Sequence, residues 1–460
     1  MFMPRNASLA LKQWFQSPSR KPLVIRGARQ VGKTSLIRHF AQSEGKQLIE
    51  LNFERRPDFA SAFTTNDPHE IVGNLRSILN HKIIPEECIL FLDEIQAYPE
   101  LLAKLRWFAE EMPELPVVTA GSLLEFVLAD HTFSMPVGRI SYLHLEPLSF
   151  EEYLSAIGEH VCREWLEQFT CDMTVPEALH QKFLNLVKEY SLIGGMPAAV
   201  ASWAITHSLE DVHQIHHELM ATYYDDFSKY SGKIPTSRLQ KALNKAPEML
   251  GKKCIYAHIN SDLPSTQMKH TIDLLAQARL IHRVYHSHGN GVPLAAEIKE
   301  TFFKLIYIDI GLASSTLGLK FNNLSAITDL ETINQGGLSE QFVGQILRTI
   351  EPYYVEPQLY YWAREEKGSS AEVDYLIAHG TQIIPLEVKS GRSGSLKSLH
   401  LFMSLKNLAL ALRICSDLPS QTQVEVKLFD GSPVSYRLLS LPFYLLGQFY
   451  RLIDQGVVGE

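Results

Sequence analysis

The sequence predicts an α/β protein of several domains: a parallel-sheet domain at the N-terminal end, a helical middle and a second α/β domain at the C-terminal end. Three observations carry this prediction. In the first 150 residues, short apolar runs that end in polar or acidic residues alternate with helix-like stretches, as buried parallel strands and their crossovers do. From about residue 151 to 230 the pattern is mostly helical, and strand-like stretches return after residue 300. At 460 residues the chain is too long for one ordinary core, and its length points to about three domains.

Composition narrows the class. Hydrophobic residues at 45% and charged residues at 20% are those of a globular protein. A net charge of −8 does not advertise nucleic-acid binding, although a local basic patch can sit on an acidic protein. The cysteines, Cys88, Cys162, Cys171, Cys254 and Cys415, show no paired spacing, so reduced thiols and a cytoplasmic location are expected. The stretch with Leu9, Leu11, Trp14 and Phe15 is amphipathic and lacks the apolar core of a signal peptide. No run of about 20 apolar residues occurs, so no membrane span is expected.

The first element with chemistry is Gly27-Ala28-Arg29-Gln30-Val31-Gly32-Lys33-Thr34, which fits G-x-x-x-x-G-K-[ST]. Leu23-Val24-Ile25 precedes it as a strand and Ser35 to Phe40 follows as a helix, the setting a phosphate-binding loop requires. The glycines let the backbone wrap a polyphosphate, and the helix start adds unpaired N–H groups and a positive dipole end. Residues Gly27 to Ser35 are therefore the expected nucleotide contacts. Lys33 is expected to reach the β and γ phosphates, and the Thr34 hydroxyl to ligate Mg²⁺. A glycine-rich turn with a chance lysine would not have strand, loop and helix in register.

Leu48 to Phe53 reads as a second strand, and a polar, helix-tending region runs to about Asn80. Cys88-Ile89-Leu90-Phe91-Leu92-Asp93-Glu94 is a buried parallel strand whose acids reach the edge where open α/β sheets bind ligands. Asp93 is placed to hold Mg²⁺ and Glu94 to polarise the attacking water. A helix from Glu100 to Glu111 leads to a strand ending at Thr119-Ala120-Gly121-Ser122. Thr119 or Ser122 either contacts the γ-phosphate or the lytic water, or Ser122 caps the next helix, Leu123 to Leu128. Gly138-Arg139-Ile140 precedes a strand from Ser141 to Leu145; Arg139 is either an arginine finger or phosphate sensor, or a structural residue. Ser149 and Glu152 form a capping box that starts a helix.

Gly27–Thr34, Leu92-Asp93-Glu94, Gly121-Ser122, and Gly138-Arg139 with Pro147-Leu148-Ser149-Phe150 together resemble a prokaryotic AAA-type P-loop ATPase. The subgroup most similar joins an AAA-like N-terminal half to a C-terminal domain of unknown function. The resemblance implies ATP as the nucleotide, and the chain has no N-K-x-D guanine-reading motif.

Residues 151–235 read as a helical lid broken at Leu192-Ile193-Gly194-Gly195-Met196-Pro197. Residues 236–300 carry helices at Ser237–Leu250 and Thr266–Ala278, an alternating strand from Leu280 to Tyr285, and a turn at His288-Gly289-Asn290-Gly291. That order resembles a winged helix. Its basic residues (Lys252, Lys253, Lys269, His270, Arg279, Arg283) are few, and Asp273 sits on the presumed reading helix. Packing within the chain is favoured over DNA contact.

In residues 301–460, a strand from Phe303 to Asp309 leads to Ile310-Gly311-Leu312, and Leu338 to Arg348 forms an amphipathic helix bearing Glu340. Strands follow at Leu359–Arg364, Glu372–Ile377, Gln382–Val388 and Ala411–Ile414, with a helix at Leu396–Leu405 and a final amphipathic helix. Glu387 and Lys389, at i and i+2, share one face of an otherwise apolar strand, where charge is costly unless paired or metal-bound. Helix Glu340, strand Asp374, then Glu387-x-Lys389 resembles the PD-(D/E)XK nuclease core, a restriction-endonuclease-like fold. That resemblance implies metal ligation by Asp374 and Glu387, and catalytic roles for Glu340, Asp374, Glu387 and Lys389 toward a phosphodiester. A structural ion cluster is the competing reading. The functional expectation is ATP hydrolysis with Mg²⁺ coupled to a nuclease-like domain acting on DNA. The alternative is an ATP-dependent scaffold or switch whose inactive C-terminal domain binds a protein partner.

Overall fold

A computed structural model describes residues 3–129, 136, 138–232, 234–259, 264–319, 336–366, 369–389 and 395–457. The chain forms two compact units. The first comprises Met1–Pro147 with the short segments Gln277–Arg279 and Glu351–Glu356; the second comprises Leu148–Ala276, Leu280–Ile350 and Pro357–Glu460. Among the described residues no helix is long and apolar enough to cross a membrane.

The first unit is built on strands β1 (Leu23–Arg26), β2 (Gln47–Asn52), β3 (Cys88–Asp93), β4 (Val117–Ala120) and β5 (Ser141–His144). They form one sheet in the order β2-β3-β4-β1-β5, every neighbouring pair parallel. Every residue of β3 and β4 is buried, as a sheet covered on both faces demands, so these strands read as near-continuous apolar runs. One layer of the core packs Leu51, Phe53, Leu90 and Leu92 against Ile71 and Leu75 of the helix Pro68–Leu79 and Leu105 and Phe108 of the helix Leu101–Glu111. Asp67 caps the former helix, its carboxylate accepting from His69 N–H at 2.7 Å. Because β4 lies between β1 and β3, the loop after β1 and the acids after β3 are separated by one strand at the same sheet edge.

The second unit takes in residues from each of the regions 151–235, 236–300 and 301–460, while Gln277–Arg279 and Glu351–Glu356 belong to the first. Its strands are β6 (Ile281–Ser287), β7 (Ile298–Tyr307), β8 (Leu359–Glu366), β9 (Ser369–His379), β10 (Gln382–Val388), β11 (Leu410–Cys415), β12 (Ser420–Lys427) and β13 (Pro433–Pro442). They make one mixed sheet in the order β12-β13-β11-β10-β9-β8-β6-β7. The helices Thr236–Lys245 and Ser265–Gln277 and the antiparallel β6–β7 hairpin stand in winged-helix order, but β6 also pairs in parallel with β8. The hairpin thus continues the C-terminal sheet. His286, whose Nε2 lies 2.9 Å from Ala363 O, is buried in that seam. The hairpin β12–β13 was not apparent from the sequence; β12 is an edge strand with mostly polar, exposed residues.

Asp309 does not end a strand. Strand β7 stops at Tyr307, and Asp309 caps the helix Ile310–Thr316, accepting from Leu312 N–H at 3.0 Å and from Gly195 N–H at 2.6 Å. Gln345 Nε2 donates to the same carboxylate at 3.1 Å, and Leu148 N–H donates to Gly195 O at 2.8 Å. A Cβ on Gly195 would lie 2.2 Å from Leu148 O, and one on Gly194 2.0 Å from Asp309 Oδ1. The Gly194-Gly195 break is therefore a site of close backbone approach as well as a turn.

Candidate nucleotide site and a buried carboxylate cluster

The loop after β1 has the backbone its glycines make possible. Gly27 has φ +153° and a Cβ there would sit 2.3 Å from Leu145 O, while Gly32, at φ +98°, caps the helix Lys33–Ser43. Gln30 takes the left-handed conformation at φ 65° and is exposed with Ser35, whereas Ala28 and Val31 are buried and Arg29 is half-buried. Lys33 folds back into this loop, its Nζ donating to Gly27 O at 2.9 Å and Ala28 O at 2.7 Å. Burial lowers its pKa to about 8, against the opposing charge of Glu94. The ammonium is held by loop carbonyls in a place where a polyphosphate would supply full countercharge.

The acids after β3 meet this loop. Thr34 Oγ1 donates to Asp93 at 3.3 Å, and Asn52 Nδ2 donates to the same carboxylate at 3.1 Å. Burial, then the neighbouring Glu94 charge, raises Asp93 to about 6. A hydroxyl and a carboxylate converging with unmet demand for positive charge fit a hard divalent cation. Glu94 adopts φ 53°, and its Oε2 accepts from Gln96 Nε2 at 2.6 Å and from Ser122 N–H at 3.1 Å. A Cβ on Gly121 would lie 2.1 Å from Gln96 Oε1, so a larger residue there would shift the Gln96 side chain.

Thr119 is fully buried and donates to Leu92 O at 3.1 Å, which ties β4 to β3. The backbone N–H of Ser122 donates to Glu94 Oε2 at 3.1 Å. Arg139 is exposed and its Nε pairs with Glu110 Oε1 at 2.7 Å, on the helix Leu101–Glu111.

A charged network in the same unit escaped sequence reasoning. Arg26, the residue before Gly27, forms a two-pronged pair with Glu125. Buried Arg279, at φ 60°, donates to Glu125 at 2.9 Å and to Glu356 at 2.7 Å, with Glu146 at 3.6 Å. Burial, then the charges of Arg279 and Arg26, pushes His144 down to about 4. Only Arg26 carries a local signal, its place between strand and loop; its partners lie 99 and 330 residues away.

Residues 19–154 match the AAA domain. Residues 184–323 and 335–426 match two domains of unknown function, DUF8612 and DUF4143. The comparison with curated proteins returned no match. Similar solved structures include the Walker-type ATPase PABY2304 of Pyrococcus abyssi, with 15% identity and a TM-score of 0.42 over 68% of this chain and 96% of that one. Another is the Aeropyrum pernix ORC1 protein in complex with DNA, with 14% identity and a TM-score of 0.29 over 69% and 93% of the two chains. Likenesses at this level carry no functional argument. The parallel five-stranded sheet, the phosphate-loop geometry and the AAA match together support an AAA-type P-loop ATPase domain in the first unit.

In the second unit, the region matching DUF4143 brings Glu340, Asp374, Glu387 and Lys389 together. Asp374 Oδ2 accepts from Val388 N–H at 2.8 Å, and Lys389 Nζ donates to Glu387 Oε1 at 2.7 Å. Burial, then the Asp374 charge, raises Glu387 to about 8. Burial raises Glu340 to about 7. Two members are unexpected. Lys304 of β7, 2% exposed, pairs with Glu340 at 2.9 Å, with Glu372, and with Asp374 at 3.7 Å. Burial works against its ammonium, but Glu340, Asp374 and Glu372 outweigh it and hold its pKa well above the ordinary value. Among the described residues no group of three or more His, Cys, Asp or Glu has the arrangement of a metal site. The expected metal ligands Asp374 and Glu387 thus stand in a cluster whose positive charge comes from lysines.

Proposed function

We propose that the AAA domain binds ATP with Mg²⁺ and hydrolyses it. The observation that carries this is the fixed position of Glu94, its carboxylate held by Ser122 N–H and Gln96 beside Asp93. Gly27 to Ser35 wrap the polyphosphate, and Lys33 exchanges its loop carbonyls for phosphate oxygens. Thr34 and Asp93 would hold the divalent ion, which supplies charge neutralisation to the phosphates. Glu94 orients a water in line with the γ-phosphate, and the two donors on its carboxylate keep it from rotating away. Glu94→Gln tests this: ATP binding persists while turnover falls by two to three orders of magnitude, on the order of 3–4 kcal/mol. Unchanged hydrolysis overturns the assignment.

For the C-terminal region we propose a nuclease-like topology, from the helix Gly337–Thr349, the antiparallel run β8-β9-β10, the helix Lys397–Lys406 and the parallel strand β11. One observation favours the ATP-dependent switch with a non-catalytic C-terminal domain, binding a protein partner, over an ATP-gated DNA nuclease. Of the acids that a nuclease would turn to metal, Asp374 is already paired with Lys304 and Glu387 with Lys389.

A further inference from the structure

We infer that Lys304 is the resident cation of the C-terminal carboxylate cluster, and that its ammonium shuts out the divalent metal the nuclease resemblance implies. This rests on the reading of that region as non-catalytic and is independent of the ATPase reading. A hard divalent ion needs several carboxylate oxygens converging on one point at about 2.0–2.6 Å. Here three of the carboxylates, Glu340 on its helix and Glu372 and Asp374 two residues apart on β9, converge on Lys304 Nζ. The ammonium also lies 5.4 Å from the centre of the Tyr361 ring, which adds a favourable face.

The lysine comes from β7, outside the helix-and-strand order that carries the resemblance. In register, Lys304 stands opposite Val284 of β6, so sheet pairing fixes the point from which its stem reaches the acids. A second observation shows that the cluster retains capacity for a cation. Glu387 is 5% exposed, and its Oε2 has no hydrogen-bond partner among the described residues. It adjoins Val388, whose N–H is bound to Asp374. Four carboxylates therefore share two ammonium groups. With the Lys304 ammonium removed, Glu340, Asp374 and Glu387 would face one another with only Lys389 between them, the condition under which carboxylates take up Mg²⁺ or Mn²⁺.

The test uses the full chain without nucleotide and Mn²⁺ as probe, read by calorimetric titration and by the melting temperature with and without metal. Wild type should show no Mn²⁺ binding that Asp374→Asn removes. Lys304→Met, which keeps the stem and loses the charge, should gain one Mn²⁺ per chain, lost again in the Lys304→Met, Asp374→Asn double variant. Lys304→Arg should remain without metal. A folded Lys304→Met chain that takes up no Mn²⁺ overturns the inference while leaving the non-catalytic reading intact. Should Lys304→Met fail to fold, the wild-type titration still decides, because Asp374-dependent Mn²⁺ binding there overturns the inference. Mn²⁺-dependent cleavage of DNA by wild type, abolished by Asp374→Asn, would overturn the non-catalytic reading as well.

Discussion

Nucleotide affinity should fall as pH rises through about 8, and the cause is Lys33. In the nucleotide-free chain its ammonium is buried against neutral carbonyls, and its pKa is lowered to about 8. Bound polyphosphate favours the charged form and restores the pKa toward or above the ordinary lysine value, about 10.4. Full affinity is therefore present below the nucleotide-free pKa and is lost as pH climbs from there toward the bound-state value. At one unit above the nucleotide-free pKa, roughly nine in ten free sites must take up a proton to bind. That weakens affinity about tenfold, or about 1.4 kcal/mol. A fluorescent ATP analogue titrated between about pH 7.5 and 9.5 avoids the last ionisation of the γ-phosphate and reads this slope directly. Affinity that stays flat to pH 9.5 would refute the reasoning, as would an equal slope in a Lys33→Met chain with measurable residual binding.

Asp93→Asn should raise the melting temperature of the nucleotide-free protein at neutral pH, because burial raises that carboxyl from 3.8 to about 6 and its ionised form opposes folding. The cost sets in above the ordinary carboxylate value and is complete above about 6, so thermal scans should show the largest gain at pH 7.5, a smaller one at pH 5 and almost none below the ordinary carboxylate value. Gly195→Ala should destabilise the second unit by several kcal/mol in denaturant titrations, since its Cβ would stand 2.2 Å from Leu148 O. Arg279→Ala should destabilise the first unit by about 3–5 kcal/mol by leaving Glu125, Glu146 and Glu356 short of a partner. Arg279→Lys should recover only part of that loss, because an ammonium cannot reproduce the forked contacts of a guanidinium.

What was legible in the sequence was what short-range pattern encodes. The phosphate loop needs glycines at fixed offsets, and β3 needs an apolar run ending in acids; both appear as written in the chain. The Ser149–Glu152 capping box could be read because its two partners are three residues apart. The hydrogen bond from Ser122 to Glu94 could not, because it uses a backbone N–H that any residue possesses. The merging of the β6–β7 hairpin into the C-terminal sheet was hidden for a different reason. Alternation shows that a strand exists but not which strand lies on its second edge, and the partner β8 follows some seventy residues later. Arg279 and Glu356 pair across 77 residues with no periodicity linking them.

Asp93 and Asp374 show why acid motifs alone do not reveal chemistry. Each is an acid on a strand of an α/β sheet, and each accepts a hydrogen bond from a neighbour. Around Asp93 the neighbours are a hydroxyl and an amide, weak and neutral donors that leave its charge unbalanced and its pKa raised. In the proposed ATP site that imbalance would favour a cation bound with the nucleotide. Around Asp374 a lysine from another strand brings full positive charge in the fold itself. Binding a divalent ion there would mean displacing a covalently tethered ammonium already paired with the acids. The difference between a site that recruits its cation and one that carries it lies in Lys304, seventy residues upstream of Asp374 and outside the nuclease-like pattern of Glu340, Asp374, Glu387 and Lys389.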